Sequence, residues 1–343
     1  MSWPNKGGKG TMTRQRSLST VWSAALIGAL TAITPTTVSA EDASKFPSKP
    51  IEVVIHAKYG GGTDTTARMM ITPTRAVLGS DMVVVSKQGG GGQAALDYLM
   101  SKPADGYTII AITPTHLYTL ARGKSSAKIT DLVGVARAMD DPTFIVVPGK
   151  SPIKTLADLI KASKAKPLNW GVAQIGGTEH IGLAQFAKAA GIKYKPVALG
   201  SGMQMVQNLM SGAIDATLPN VSEAREQIAS GQFRALAVMA KTRLKDFPNI
   251  PTTHELGFKV ATSTVRGYLV RAGTPQPILA KLEAAMLKGL KSESFAKYLK
   301  TSGLNPDDSV AGSKAWTEQV QREFQIAKDE IKALGLTGGK KKK

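Results

Sequence analysis

The chain has 343 residues, 42% of them hydrophobic and 20% charged, enough for about two globular domains with apolar cores. It contains no cysteine, which excludes disulfide staples, thiolate nucleophiles and cysteine metal sites. The formal charge is +19; residues 1–40 hold four of the positive charges and none of the negative, so the remainder carries +15. Such a surface attracts anions over a distance, but no nucleic-acid motif interleaves the charges, so nucleic acid is set aside as a partner.

The first forty residues read as a secretory signal. Arg14 and Arg16 form a basic start, Val21 to Ile33 is apolar, and Val38-Ser39-Ala40 offers small residues before a cut. The apolar stretch is short for a membrane span. Cleavage is expected after Ala40, with the mature protein in the periplasm.

Beyond it, β-branched runs alternate with amphipathic ones. Ile51 to Ile55 reads as a buried strand, followed by glycines 60–62 and a helix over Thr65 to Leu78 that contains Pro73. An interior proline costs about 3 kcal/mol without compensation. Met82 to Val85 and Tyr107 to Ile112 read as strands, with Gly89 to Gly92 and a helix over Ala94 to Met100 between them. Asp105-Gly106 and Asp140-Asp141-Pro142 read as turns. Phe144 to Val147 is a strand, and Thr155 with Asp158 forms a capping box for a helix to Ala165. Leu168 to Ala173, Ile214 to Leu218 and Ala235 to Met239 are strands. Helices stop at Gly191, Gly212 and Gly231, the last of them capped by Ser222. After Val270 two helices follow, one opened by Thr274-Pro275 and one running through Trp316 to Leu334. The alternation predicts an α/β fold with mainly parallel sheets in two blocks that divide near residue 145. The last two helices lack strands of their own, so they are expected to pack on the first block.

Three Gly-rich turns sit between a strand and a helix: Gly60-Gly61-Gly62-Thr63-Asp64, Gly89 to Gly92, and Gly176-Gly177-Thr178. Backbone N–H groups at such turns can hold an anion, and parallel α/β sheets bind ligands at this end of their strands. None is a Walker loop, because no Gly-Lys-Ser/Thr follows. The four histidines, His56, His116, His180 and His254, show no metal-ligand spacing, and there is no Gly-x-Ser-x-Gly elbow. No metal and no cofactor is expected. Lys58 suits contact with a carboxylate and Tyr59 suits stacking on an aromatic ligand, although solvation of the first and packing of the second are the plainer readings.

The ordered series Phe46-Pro47-Ser48-Lys49-Pro50-Ile51, Gly60 to Asp64, Ala67-Arg68, Gly91-Gly92, Asp105-Gly106-Tyr107-Thr108 and Lys154-Thr155-Leu156 continues down the chain. Gly176 with His180, Ser211 to Asp215, Gly231 with Arg234 to Val238, Phe247-Pro248, Ile250-Pro251-Thr252 and Ala272-Gly273-Thr274-Pro275 complete it. The series resembles the solute-binding receptors of tripartite tricarboxylate transporters, the Bug family, over roughly residues 46–335. The resemblance implies a type II periplasmic-binding-protein fold, in which two α/β lobes close by a hinge on a ligand cleft. The expected lobes are residues 41–143 with 268–335, and residues 144–267; residues 336–343 are expected to be a disordered basic tail. It further implies a monomeric receptor, not an enzyme, that captures a small organic carboxylate for the membrane permease subunits. Carried over residue by residue, the implied first-lobe contacts are Gly61, Gly62, Thr63 and Asp64, with Gly91, Gly92, Thr113 and His116 beside them. The implied second-lobe contacts are Gly177, Thr178, His180 and Asn220. The chain departs from the family's pattern at His56-Ala57-Lys58-Tyr59, Ser86-Lys87-Gln88 and Ala198 to Ser201, all near the expected cleft. Lys58 and Tyr59 therefore join the candidates, for an acidic and aromatic ligand. A sensor input for a two-component kinase and an exported α/β enzyme stand as alternatives.

Overall fold

The computed structural model describes residues 44–337; the expected secretory signal and the final lysines lie outside the described residues. In chain order the first block is β1 (Ile51–Ile55), α1 (Gly62–Leu78), β2 (Met82–Ser86), α2 (Gln93–Met100), β3 (Thr108–Ile112), α3 (Pro114–Ala121) and β4 (Leu132–Pro142). The second is β5 (Phe144–Pro148), α4 (Leu156–Ala165), β6 (Leu168–Val172), α5 (Thr178–Ala190), β7 (Tyr194–Ala198), α6 (Gly202–Met210), β8 (Ala216–Thr217), α7 (Val221–Ala229) and β9 (Phe233–Val238). The chain then returns through β10 (Ser263–Arg271), α8 (Gln276–Leu290), α9 (Glu293–Thr301), α10 (Pro306–Ser309), β11 (Ala311–Gly312) and α11 (Ser313–Ala333).

These elements build two sheets, β11-β4-β10-β3-β1-β2 and β7-β6-β8-β5-β9. Both are mixed, which corrects the expectation of mainly parallel sheets. β1 runs parallel to β2 and β3, and β6 runs parallel to β7 and β8. β10 comes back from the second sheet, so it opposes both β3 and the outgoing β4. β5 likewise opposes β8 and β9. The two crossings touch: Thr143 N–H donates to the Thr262 carbonyl at 3.1 Å.

Each sheet is covered on both faces, which is why its strands are apolar on both sides. Met70, Leu282, Met286 and Phe295 pack on one face of the first sheet; Leu96, Leu117, Trp316 and Val320 pack on the other. In the second lobe Leu159 and Phe186 fill one face, and Val206, Leu209 and Val221 fill the other. The terminal helices α8 and α11 therefore close the first lobe, as their lack of strands required.

Local signals were obeyed where they were complete. Asp158 N–H donates to Thr155 Oγ1 at 3.1 Å, and the Asp158 carboxylate accepts from Thr155 N–H at 3.0 Å. Pro73 lies inside α1; beside it the Thr72 and Thr74 hydroxyls donate to Arg68 and Met70 carbonyls. Other readings change. Asp140-Asp141-Pro142 ends a long strand rather than forming a turn, because Asp141 has a buried partner. Ser222 does not cap α7; Asn220 holds that position, and the Ser222 hydroxyl donates to Asp141. The strand read over Ile214 to Leu218 shortens to Ala216–Thr217. Four helices rather than two follow Val270, since Ser292 opens α9 by accepting from Phe295 N–H at 3.3 Å.

Gly267, in the middle of β10, admits the Trp316 indole; a Cβ there would lie 2.6 Å from its Nε1. Gly267→Ala is expected to overpack this contact and lower stability by about 1–3 kcal/mol, read as a fall in the denaturation midpoint. An unchanged midpoint would mean that the indole relocates freely.

Candidate functional site

Four helices begin at one place between the sheets. β1 feeds α1 through His56 to Gly61, and Gly61 occupies the N-cap without a side-chain cap. β6 feeds α5 through Ala173 to Gly177, again without a side-chain cap. α6 starts after Ser201 and α7 after Asn220. Residues from all four starts line one cavity of about 30 Å³, room for about two water molecules. Uncapped first turns leave backbone N–H groups without intrahelical partners and place positive potential there.

The lobes meet directly around this cavity. Thr178 N–H donates to Thr115 Oγ1 at 3.1 Å, and the two hydroxyls lie 3.1 Å apart, both buried. Gly62 N–H donates to Glu223 Oε1 at 3.2 Å. A Cβ at Gly61 would come within 2.9 Å of Ser201 Cβ. Absence of side chains at Gly61 and Gly62 is what permits this approach.

Arg266, in β10, is 3% exposed. Its Nη1 donates to Asp141 Oδ2 at 2.7 Å and its Nη2 to Asn220 Oδ1 at 3.0 Å. Glu223 Oε1 is 3.9 Å from Nη2. Asn220 in turn donates through Nδ2 to the Asp141 carbonyl at 2.6 Å and to Thr264 Oγ1 at 3.0 Å. Burial alone would lower the guanidinium pKa, but Asp141 and Glu223 raise it, so the cation persists.

Burial dominates the other titrating groups. It pushes Glu179 up to about 7, with the charge of Glu223 adding to the effect. It also raises Glu223, against the pull of Arg266. Burial lowers His116 to about 4 and lowers His56 well below its ordinary value, with His116 and Arg266 adding. The two imidazoles stack edge to face at 4.3 Å and are neutral at neutral pH.

Of the sequence-derived candidates, Gly61, Gly62, Thr63, Thr113, Thr178 and Asn220 come together in the lining. The others lie outside it. Asp64 turns back on its own loop, accepting from Gly60 N–H at 2.8 Å and pairing with Arg68 at 2.9 Å. Lys58 is exposed, its Nζ 3.5 Å from the Leu199 carbonyl. Tyr59 is 56% exposed, and its hydroxyl accepts from Ser86 N–H. His116 Nδ1 accepts from Thr113 N–H at 3.1 Å, which orders the loop after β3. Gly92 allows the His116 ring to sit behind that loop, since a Cβ there would be 3.0 Å from Cδ2. The Gly91 carbonyl accepts from Thr119 Oγ1. Gly177 is the N-cap of α5, and His180 accepts from Gly176 N–H at 2.8 Å.

Sequence reasoning missed His56, Thr115, Gln174, Glu179, Ser201, Glu223 and Arg266, all of which line the cavity. Arg266 left a signal, a lone cation inside the apolar run Val265 to Val270. A charge there must be paired. Glu179 and Glu223 left none, because acids in a first helical turn are ordinary dipole partners.

The family model described as the tripartite tricarboxylate transporter family receptor matches residues 66–336. BugT of Bordetella pertussis is 30% identical, over 77% of this chain and 83% of that protein. A Rhodopseudomonas palustris protein solved with adipate is 25% identical, with TM-score 0.76 over 86% of this chain and 98% of that one. MatC of the same organism, solved with malate, is 24% identical with TM-score 0.77, over 83% of this chain and all of that one. The two structural neighbours share this fold, and the chain belongs to the tripartite tricarboxylate transporter receptor family.

Proposed function

We propose that the protein is a periplasmic receptor that captures a small organic carboxylate between its lobes and presents it to the permease subunits of a tripartite transporter. It binds and does not turn its ligand over. The observation that carries this reading is the convergence of four helix N-termini and the Arg266 guanidinium on one cavity between two sheets. Adipate and malate, with which two of the similar proteins were solved, belong to the same chemical class.

In this reading the sheets are the cores of two lobes that hinge at the crossings, near Thr143 and Thr262. A carboxylate meets the N–H groups of the first turns of α1 and α5, the Thr63 and Thr178 hydroxyls, and Arg266. Asn220 holds the guanidinium in place, and Thr113 shapes the wall. Asp64, Gly91, Gly92, His116, Gly177 and His180 act behind this layer by fixing the loops. Ligand contact with both lobes favours the closed form, since it binds that form better. The cavity of about 30 Å³ is smaller than a dicarboxylate, so capture requires the lobes to part.

The reading predicts a selective rise in melting temperature when the protein is screened against di- and tricarboxylates, amino acids, aromatic acids and neutral controls. Ligand at 100 times its dissociation constant adds about 2.7 kcal/mol of stability. A flat response from folded protein would sink the carboxylate assignment. Gly62→Ala places a Cβ 2.5 Å from Arg266 Nη2 and 2.7 Å from Glu223 Oε1, and should abolish the shift for whichever acid the wild type binds.

The Glu179 carboxyl adds a pH signature. Its pKa is raised in the folded protein from the ordinary 4.5 to about 7. Between those values the folded protein keeps a proton that the unfolded chain releases, so stability falls as pH rises through that window. The loss amounts to something on the order of 3 kcal/mol. Glu179→Gln should show a flatter melting temperature from about pH 5 to 7 than the wild type; parallel curves would refute the assignment of that proton to Glu179.

A further inference from the structure

The charges around the cavity do not match a plain dicarboxylate. Among the described residues that line it, Arg266 is the cation, and Asp141 already pairs with it at 2.7 Å. Glu223 shares that cation, its Oε1 3.9 Å from Arg266 Nη2, and Glu179 is a further carboxyl in the lining, so one cation serves three acids. Lys58 and Arg122 stand nearby but outside the lining. The Arg122 guanidinium donates to the Tyr118 carbonyl and the Thr119 hydroxyl. His56 and His116 are neutral, for the reason given above. Bringing two more negative charges into this water-poor space places like charges at short range, where the low dielectric strengthens repulsion.

The protein also fills part of its own anion seat. Glu223 Oε1 accepts the Gly62 N–H at the start of α1, and Glu223 Oε2 accepts Asn220 N–H at 3.2 Å. A Cβ at Gly202 would fall on the same carboxylate. The starts of α1, α6 and α7 thus close around Glu223, which holds it in place as an acceptor at the cavity wall.

Three buried polar atoms in the lining lack partners: His56 Nδ1, which donates or accepts according to its tautomer, and two that call for opposite chemistry. Gln174 Nε2 donates to the His56 carbonyl at 3.1 Å, which fixes the amide orientation and leaves Oε1 as a buried acceptor without a donor. Arg266 Nε is a buried donor without an acceptor. Buried polar groups in native proteins have partners as a rule, and a ligand that brings both an acceptor and a donor supplies them.

We propose that the ligand is a zwitterion, a carboxylate that also carries an ammonium group, with Glu179 and Glu223 as the residues that select the ammonium. This rests on the carboxylate-receptor reading and narrows it. The ligand carboxylate meets Arg266 Nε, and the ammonium meets the two glutamates and Gln174 Oε1. Burial raises the Glu179 pKa in the protein alone; an ammonium beside it lowers that pKa and favours the ionised form.

Matched pairs of acids test it by titration calorimetry on the protein: propionate against β-alanine, and succinate against aspartate. The expected result is tighter binding of an amino acid than of its unsubstituted partner by at least tenfold, with the preference reduced at least tenfold in Glu179→Gln and in Glu223→Gln. Each variant is first checked for a cooperative melt; the wild-type comparison stands even if one fails to fold. Equal or tighter binding of the unsubstituted acids overturns the zwitterion assignment and leaves the carboxylate receptor intact. A preference for the amino acids that survives both substitutions overturns the role of the glutamates. Binding of no acid at all by folded protein overturns both readings together.

Discussion

The Arg266 guanidinium is buried at the point where the chain crosses between its sheets, and a charge removed from water needs partners. Desolvation of such an ion costs several kcal/mol, and stripping a partner from a buried pair costs about 3–5 kcal/mol. Its partners come from separate places: Asp141 from the end of β4, and Asn220 and Glu223 from the start of α7. Satisfying one side chain therefore fixes how the outgoing strand, the returning strand and a second-lobe helix meet. Asp141 is held further by Ser222, whose backbone and hydroxyl both donate to its carboxylate.

From that junction outward, the lobes touch through small groups. The contacts include glycine to serine, glycine N–H to glutamate, threonine to threonine, and the Gln174 amide to the His56 carbonyl. Such contacts are short and directional and bury little apolar area. They add modest hydrogen-bond energy to a closed arrangement that a ligand can also stabilise. The apolar cores lie on the two sheets, away from the crossing, so each lobe can keep its packing while the contacts between lobes change. A hinge receptor requires this separation of strong packing within lobes from weak contacts between them.

The electrostatics of the cavity follow from the same geometry. Neutral histidines behind the first-lobe loops shape the wall without adding charge. The carboxyls of Glu179 and Glu223 enter from the first turns of α5 and α7, where helix dipoles stabilise acids, yet burial raises both pKa values. The cleft is thus a place of finely balanced charge and not a simple basic trap. The overall charge of +19 bears on encounter with anions; the lining decides which of them fit.

Much of this was legible in the sequence because it depends on local chemistry. Apolar runs specified the strands, Thr155 with Asp158 specified a helix start, and glycines specified the turns that carry Gly61, Gly62 and Thr178 into the cleft. The ordered series of short motifs specified the family. The long strand β4 escaped because Asp140-Asp141-Pro142 reads as a turn until a buried arginine more than a hundred residues away is supplied. Lys58 and Tyr59 drew attention by type and position, but backbone direction after β1 turns them to the surface. Which acids face the cavity, and whether a charge there is paired, could be decided only by the tertiary structure. Burial and pairing are properties of contacts between residues distant in the chain, and Glu179, Glu223 and Arg266 acquire their chemistry when the two sheets close on one another.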